Sequence, residues 1–230
     1  MAINYFDIEN GVFGYSQKDY QLKRHSHFPI EVVFTLSGQL SIDTHNHQYT
    51  NIQAAIINSK VPHTFNCLNS ACQLYFIEPT SLAGKHILRS FFSRDEEMVL
   101  MDGVEAEYFK DEHIFAYRKH HVHLKPLDDR IQICLDWIKA NYSVQNIQLS
   151  MLSEIAFLSE SRLAHLFKEQ IGIPVHQYIL WKKIEMAIKQ FMEGSSLTDC
   201  AYSSGFADPS HLNKTFKKMF GVYPSFERKK

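Results

Sequence analysis

Residues 201–221 read AYSSGFADPSHLNKTFKKMFG, and this stretch decides the fold of the second half of the chain. Its apolar residues follow a helical spacing before Gly205 and again after Asp208. The Asp208 carboxylate can accept hydrogen bonds from the free amide groups that open a helix, and Gly221 stands where a left-handed residue ends one. The stretch therefore predicts a short helix, a turn and a second helix, which is the helix-turn-helix outline.

The same pattern of Phe, Lys, Gly and a branched apolar residue occurs twice, because FKEQIGI begins at Phe167 and FKKMFGV begins at Phe216, 49 residues later. Two copies are too few for a solenoid and indicate two related supersecondary units. We expect the first unit over about 150–171 and the second over about 197–220. A linker helix over about 175–193 is predicted between them.

The second helix of each unit is the one that would enter a DNA major groove, so its outer face needs polar side chains. Lys and Arg suit guanine or phosphate, and Asn suits adenine. One polar stripe alone is more often a solvated helix face, but two copies with shared punctuation favour DNA reading. The buried faces are predicted to carry Leu163, Leu166 and Phe167, then Leu212, Phe216 and Met219. The predicted DNA contacts are Ser161, Arg162, His165, Lys168, Ser210, Asn213, Lys214 and Lys217.

The whole chain gives no electrostatic sign of a nucleic-acid or membrane partner, since 24 basic residues stand against 25 acidic ones. Divided at residue 128, the first part has 11 basic and 14 acidic residues and the second has 13 and 11. Four cysteines without a C-x-x-C pair suit a reducing compartment. Acidic residues stand near the start, where a signal peptide would need an apolar core. No apolar run of about 18 residues is present that could span a bilayer. The sequence therefore predicts a cytoplasmic protein with no membrane partner.

Short β-branched and aromatic runs fill residues 1–80, and they predict an antiparallel β-barrel of the cupin or jelly-roll type. We expect 81–127 to form a helical linker with a helix near Leu82–Phe92, and 128–230 to form an all-α DNA-binding domain. The expected fold class is thus α+β with several domains. The linker carries an apolar stripe that is compatible either with dimerisation or with packing on the barrel: Leu82, Ile87, Leu88 and Phe91.

Histidines concentrate in the first half, where the spacing H-x-H-x3-E-x6-G joins His25, His27 and Glu31. Strand alternation places these side chains on one face. The spacing resembles the first metal-binding motif of cupins, and His63 resembles the histidine of the second. Residues 58–60 depart from the Pro-x-Gly of that second motif. These four residues are the candidate ligand-binding set and the candidate set for a divalent metal, and a structural role also stays open.

The residues from Ala201 to Pro224 resemble the DNA-binding domain of the AraC/XylS family of bacterial transcription regulators, and the resemblance covers 128–230. It implies two helix-turn-helix units on either side of a linker helix, an N-terminal sensor, and His211 as a further DNA contact. It also implies promoter DNA, RNA polymerase and a small-molecule effector as partners, a possible homodimer, and activation as the usual outcome.

The chain departs from that family at three positions. Phe157 stands where many members carry a turn glycine, Trp181 where an arginine is common, and Glu227 where a tyrosine is usual. The resemblance makes Lys182 and Lys183 the candidates for the phosphate contact that the arginine would otherwise provide.

A sequence-specific transcription regulator is the predicted function, with a metal-dependent cupin enzyme, an isomerase or dioxygenase, as the alternative. The sequence contains no Ser-His-Asp spacing, P-loop or dinucleotide fingerprint. We therefore predict no catalytic residues and no cofactor.

Overall fold

A computed structural model of the 230-residue chain describes residues 2–7, 11–93, 96–101, 126–143 and 146–220. Its internal contacts divide the chain into two compact units, one of 1–122 with 216–230 and the other of 123–215. The first contains an antiparallel sheet and the second contains helices. The predicted α+β fold class, with a β domain followed by a helical domain, is confirmed.

Among the described residues, the sheet of the first unit contains eight strands, all of them antiparallel to their neighbours. Six follow the order β1-β2-β7-β3-β6-β8, while β4 pairs with β5 and β7. The strands are β1 Ala2–Asp7, β2 Val12–His25, β3 Ile30–Ser37, β4 Leu40–Asp43, β5 Gln48–Ile52, β6 Ala54–Ile57, β7 His63–Ile77 and β8 Met98–Met101. The sheet thus includes a strand, β8, that lies beyond residue 80.

The pairing of the two longest described strands, β2 and β7, is interrupted by a bulge. Asp19 and Asn69 both have left-handed backbones there, with φ of 48° and 55°. The Asp19 carboxylate accepts a hydrogen bond from the Asn69 amide at 2.7 Å. Beyond the bulge β7 changes neighbour, because its first part pairs with β4 and its second part with β3. One strand therefore ties together two parts of the sheet.

The helix α1, Leu82–Phe91, covers one side of this sheet and matches the helix predicted near Leu82–Phe92. Ile87 is fully buried in the core with Ile30, Val32 and Ile77. The same core receives Leu88 and Phe91, so three of the four stripe residues pack on the sheet. Leu82 is the exception, at 65% exposure. Of the two interpretations of the stripe, packing on the β domain is the one that the structure supports.

The helices of the second unit begin at residues whose side chains accept amide hydrogen bonds in several cases. Asp128, Ser159 and Ser196 cap α2, α4 and α6 in this way. The described helices are α2 Asp129–Asn141, α3 Leu149–Ile155, α4 Glu160–Ile171, α5 Val175–Met192, α6 Leu197–Ser203 and α7 Pro209–Phe220, the last of which runs from the second unit into residues assigned to the first. None of the helices in the described ranges has the length and hydropathy needed to cross a bilayer.

Candidate nucleic-acid interface and buried histidine cluster

The first helix-turn-helix consists of α3 and α4, which lie within the predicted 150–171 apart from one residue at the start. Its turn contains Phe157, whose φ of 52° is left-handed and whose side chain is 94% exposed. The Ser159 hydroxyl then accepts a hydrogen bond from the Arg162 amide at 3.3 Å. Helix α4 ends at Gly172, with φ of 90°. The chain thus forms the turn with an aromatic residue in a conformation that favours glycine.

The two faces of α4 separate as the sequence predicts. Its apolar residues are buried against the rest of the helical unit: Leu163, Leu166, Phe167 and Ile171. Its predicted DNA contacts are all exposed: Ser161, Arg162, His165 and Lys168. The structure therefore leaves this polar face accessible, while contact with DNA stays a prediction.

The second helix-turn-helix consists of α6 and α7, and its turn depends on Gly205. That residue has φ of 79°, and an added Cβ would lie 3.1 Å from the Ser143 carbonyl oxygen and 3.2 Å from that of Tyr142. Its own carbonyl accepts a hydrogen bond from Lys183 Nζ at 2.6 Å. Close backbone approach and left-handed geometry both explain the glycine.

Helix α7 opens at Asp208, whose carboxylate accepts a hydrogen bond from the His211 amide at 2.7 Å. Leu212 and Phe216 are fully buried, and Met219 is half-buried. Asn213 is also half-buried, and its Oδ1 has no hydrogen-bond partner among the described residues. The remaining predicted DNA contacts are exposed: Ser210, His211, Lys214 and Lys217.

The two lysines of the linker helix α5 that the sequence suggested for the phosphate contact both have partners within the helical unit. Trp181 is fully buried. Lys182 is buried beside it, and its Nζ donates a hydrogen bond to Glu185 Oε2 at 2.7 Å. Lys183 donates to the Gly205 carbonyl as described. Because Lys182 is buried and paired with Glu185, the prediction of a phosphate contact is wrong for Lys182. Lys183 is half-buried and donates to a backbone carbonyl, and its phosphate contact stays a prediction.

The histidine cluster of the first unit gathers the four residues named from the sequence. His25, His27, Glu31 and His63 each offer a ligand atom, and these atoms lie within 4.8 Å of one another. Neighbouring strands bring these side chains together, since His25 ends β2, Glu31 lies in β3 and His63 begins β7. In the β2–β7 register, His25 is directly opposite His63.

Glu31 is the centre of this cluster. Its Oε2 lies 2.8 Å from His27 Nε2 and 3.5 Å from His63 Nε2. Burial acts to raise the pKa of Glu31, but the two imidazoles outweigh it and hold that pKa well below its usual range. Burial would lower the pKa of His63, yet the carboxylate raises it. Burial and the nearby His63 lower the pKa of His25 to about 4.

Two phenols of β2, which the sequence patterns did not indicate, also feel the charge of this carboxylate. Tyr15 and Tyr20 are buried on β2 and interact with each other. Burial raises the pKa of both phenols; the next cause is the charge of Glu31 for Tyr15, whereas for Tyr20 it is Tyr15 and then Glu31. Alternation along β2 predicts that Tyr15 lies on the same face of the strand as Phe13. The bulge at Asp19 interrupts this alternation, so the sequence does not predict the face on which Tyr20 lies.

The other histidines of the first half are separate from this cluster where the structure describes them. His45 and His47 are exposed in the β4–β5 hairpin. His113, His120, His121 and His123 lie outside the described residues, as do Gly221, Pro224 and Glu227.

Comparison with known proteins supports both halves of this architecture. Residues 152–230 match the family described as Helix-turn-helix domain. The probable transcriptional regulator LumQ of Photobacterium leiognathi is 24% identical over 241 residues, which cover 95% of this chain and 97% of LumQ. The arabinose operon regulatory protein of Escherichia coli K12 is 30% identical over 105 residues, which cover 44% of this chain and 35% of that protein.

Solved structures of ToxT from Vibrio cholerae have the same fold. One matches with a TM-score of 0.60 and 15% identity, over 93% of this chain and 96% of that one. Another, of unsaturated fatty acid bound ToxT, matches with a TM-score of 0.57 and 16% identity, over 93% and 92%. The fold, the two helix-turn-helix units and these relatives define a DNA-binding transcription regulator. Within this class, the helix-turn-helix region of the chain is similar to that of AraC-type regulators.

Proposed function

We propose that the chain recognises promoter DNA sequence-specifically through α4 and α7, and that a small molecule bound in the β domain controls this recognition. The observation that carries the proposal is the repeated arrangement of a capped helix with a buried apolar face and an accessible polar face. The linker helix α5 has 18 residues, or roughly 27 Å at about 1.5 Å per residue. That length suits two helices that read neighbouring major grooves about 34 Å apart.

The polar faces carry the chemistry that DNA recognition needs. Arg162, Lys168, Lys214 and Lys217 supply cations for guanine edges and phosphates. The second part of the chain has a small excess of basic residues, 13 against 11. The nonspecific electrostatic affinity for DNA will therefore be modest, and contacts in the grooves will contribute most of the discrimination between sequences.

Effector binding is proposed for the cluster of His25, His27, Glu31 and His63. Support comes from its burial and from the polar atoms that lack hydrogen-bond partners among the described residues. Structurally similar ToxT has an unsaturated fatty acid bound in one of its structures. A ligand that binds one arrangement of the regulator more tightly than the other shifts the equilibrium between them. We further propose activation, contact with RNA polymerase and a cytoplasmic location.

The test begins by selecting bound sequences from a random DNA pool, and fluorescence anisotropy then compares the selected duplex with a scrambled one. We expect the selected duplex to bind roughly 1,000-fold more tightly or better. Its affinity should fall as salt rises, because phosphate contacts release counterions. Equal affinity for both duplexes, with no dependence on salt, would refute the proposal that the chain recognises DNA sequence-specifically.

A metal-dependent cupin enzyme is the second candidate, and the same buried cluster is the observation in its favour. Assays for isomerase and dioxygenase turnover on the metal-loaded chain separate the two functions. Turnover that is lost in Glu31→Gln and retained in the surface variant His45→Gln would support the enzyme. No turnover, together with selective DNA binding, would support the regulator.

A further inference from the structure

Phe157 is the most exposed large apolar side chain among the described residues, at 94% exposure. Its backbone is also left-handed, with φ of 52°, in a region that residues other than glycine rarely occupy. An aromatic ring in water and a strained backbone both oppose folding, and strained residues concentrate at functional sites. A contact with a partner outside the chain would account for both properties.

The hydrogen bonds at the end of α3 hold Phe157 in this conformation. The Phe157 amide donates to the Glu154 carbonyl oxygen at 3.1 Å, and the Leu158 amide donates to that of Ser153 at 3.0 Å. Together these two bonds form the Schellman motif, which closes a helix through one left-handed residue and usually has glycine there. The position of the Phe157 backbone on the surface is therefore fixed.

Glycine does occupy the left-handed position of this motif elsewhere in the helical unit. Gly194 follows α5 with φ of 106°, and Gly205 follows α6 with φ of 79°. In each case the glycine amide and the next amide donate back to the helix as those of Phe157 and Leu158 do. Phe157 is thus an exception to a pattern that the chain otherwise follows, and the turn itself does not require its ring.

The turn places Phe157 beside the polar face of α4. Phe157 comes two residues before Ser159, which caps that helix, and the early helix residues Ser161 and Arg162 are exposed. In a helix-turn-helix, the N-terminal residues of the second helix contact base edges while the first helix crosses the DNA backbone. The turn that joins the two helices therefore lies at the wall of the major groove when α4 is bound there.

The chemistry of a phenyl ring matches one feature of that groove. The ring has no hydrogen-bond donor for a phosphate, and the neighbouring Glu160 is exposed and carries the same sign of charge as a phosphate. The apolar group that a base pair presents in the major groove is the C5 methyl group of thymine, and phenylalanine is among the residues that contact it. A ring with two rotatable side-chain bonds on a fixed turn loses little freedom in such a contact.

We propose that Phe157 determines part of the DNA specificity, through contact between its ring and the C5 methyl group of one thymine at the edge of the base pairs read by α4. This inference deepens the proposed function and rests on it, since it requires α4 to lie in a major groove. The left-handed phenylalanine then lowers stability and adds to recognition. Phe157→Gly should consequently change these two properties in opposite directions.

The experiment takes the duplex selected from the random pool and replaces its thymines one at a time by deoxyuridine, which removes only the methyl group. Fluorescence anisotropy with the full chain should find one thymine whose replacement weakens binding about fourfold, the factor expected for one buried methyl group. Phe157→Gly should bind the unmodified duplex at least as weakly as the parent binds the deoxyuridine duplex, and should be indifferent to that replacement. The matched control Ile133→Ala shortens another exposed apolar side chain, on α2, and should respond to deoxyuridine as the parent chain does.

Urea denaturation of the same samples should show that Phe157→Gly is folded and at least as stable as the parent chain, so that weaker binding does not reflect unfolding. The proposal is overturned if no thymine gives this loss, or if the loss persists in Phe157→Gly; selective binding by the parent chain then leaves the proposed function intact. Unchanged DNA affinity in Phe157→Gly, with loss of transcription activation, would also overturn it and assign the ring to a protein partner. Equal binding of the selected and scrambled duplexes by the parent chain would overturn both proposals.

Discussion

Phe157 and Gly205 occupy the same place in the two helix-turn-helix units, each two residues after the end of the preceding helix, and both have a left-handed backbone. Their φ values are 52° and 79°. The conformation is therefore common to both turns although the residue type is not. A non-glycine residue in this region costs about 1–3 kcal/mol, and the exposed Phe157 ring has no packing that offsets the cost.

Phe157→Gly should consequently stabilise the helical unit. Relief of the backbone strain exceeds the extra entropy that glycine gives the unfolded chain, about 0.4–1 kcal/mol, so we expect a net gain of roughly 0.5–1 kcal/mol. Urea denaturation followed by tryptophan fluorescence measures it. Phe157→Ala is the control, because it removes the ring and keeps the strain. Equal stabilisation by both variants would assign the effect to the ring.

Lys214→Ala should weaken DNA binding and reduce its salt dependence. Lys214 is exposed on the polar face of α7, where one phosphate contact contributes about 0.9 to the slope of log affinity against log salt. Anisotropy titrations at several salt concentrations give that slope. Lys139→Ala removes the same charge from the exposed surface of α2 and should leave it unchanged. Identical slopes in the two variants would contradict the role assigned to α7.

Neutralising one member of the buried pair Lys182–Glu185 should lower the free energy of unfolding substantially. The two side chains are 8% and 3% exposed, and Glu185→Gln leaves the Lys182 charge inside the helical unit without its carboxylate. We expect a loss of about 3 kcal/mol in the free energy of unfolding. Glu193→Gln is the comparison, since Glu193 lies 3.8 Å from Lys189 at 61% exposure. That exposed change should cost less than about 0.5 kcal/mol.

The four cysteines should resist modification in the folded chain. All four are buried free thiols. Burial raises the pKa of Cys134 to about 11 and raises the pKa values of Cys67 and Cys72 as well. The reactive thiolate is thus scarce at pH 8. A colorimetric thiol reagent should detect almost no thiol at that pH before denaturant is added and four afterwards. Fast reaction of one thiol in the native chain would contradict this prediction and show that the fold opens locally at that cysteine.

Local patterns predicted the helices and their faces well, because capping and helical period depend on residues a few positions apart. Helix α4 begins after Ser159 and ends at Gly172, in agreement with the first unit predicted over about 150–171. The burial of Lys182 did not follow from such patterns, since it depends on Glu185 and on how α5 packs. The same holds for Tyr20, whose approach to Glu31 is set by a bulge between two strands.

The two helix-turn-helix units differ by one residue in the length of the turn. The preceding helices α3 and α6 are offset by 48 positions, whereas the following helices α4 and α7 are offset by 49. A chimaera that exchanges the two recognition helices must therefore be aligned on Ser159 and Asp208 rather than on the helix before. Misalignment by one position would rotate every side chain by about 100° around the helix axis. Apolar residues would then face solvent, so the extra residue prevents simple interchange of the two units although their sequence patterns are similar.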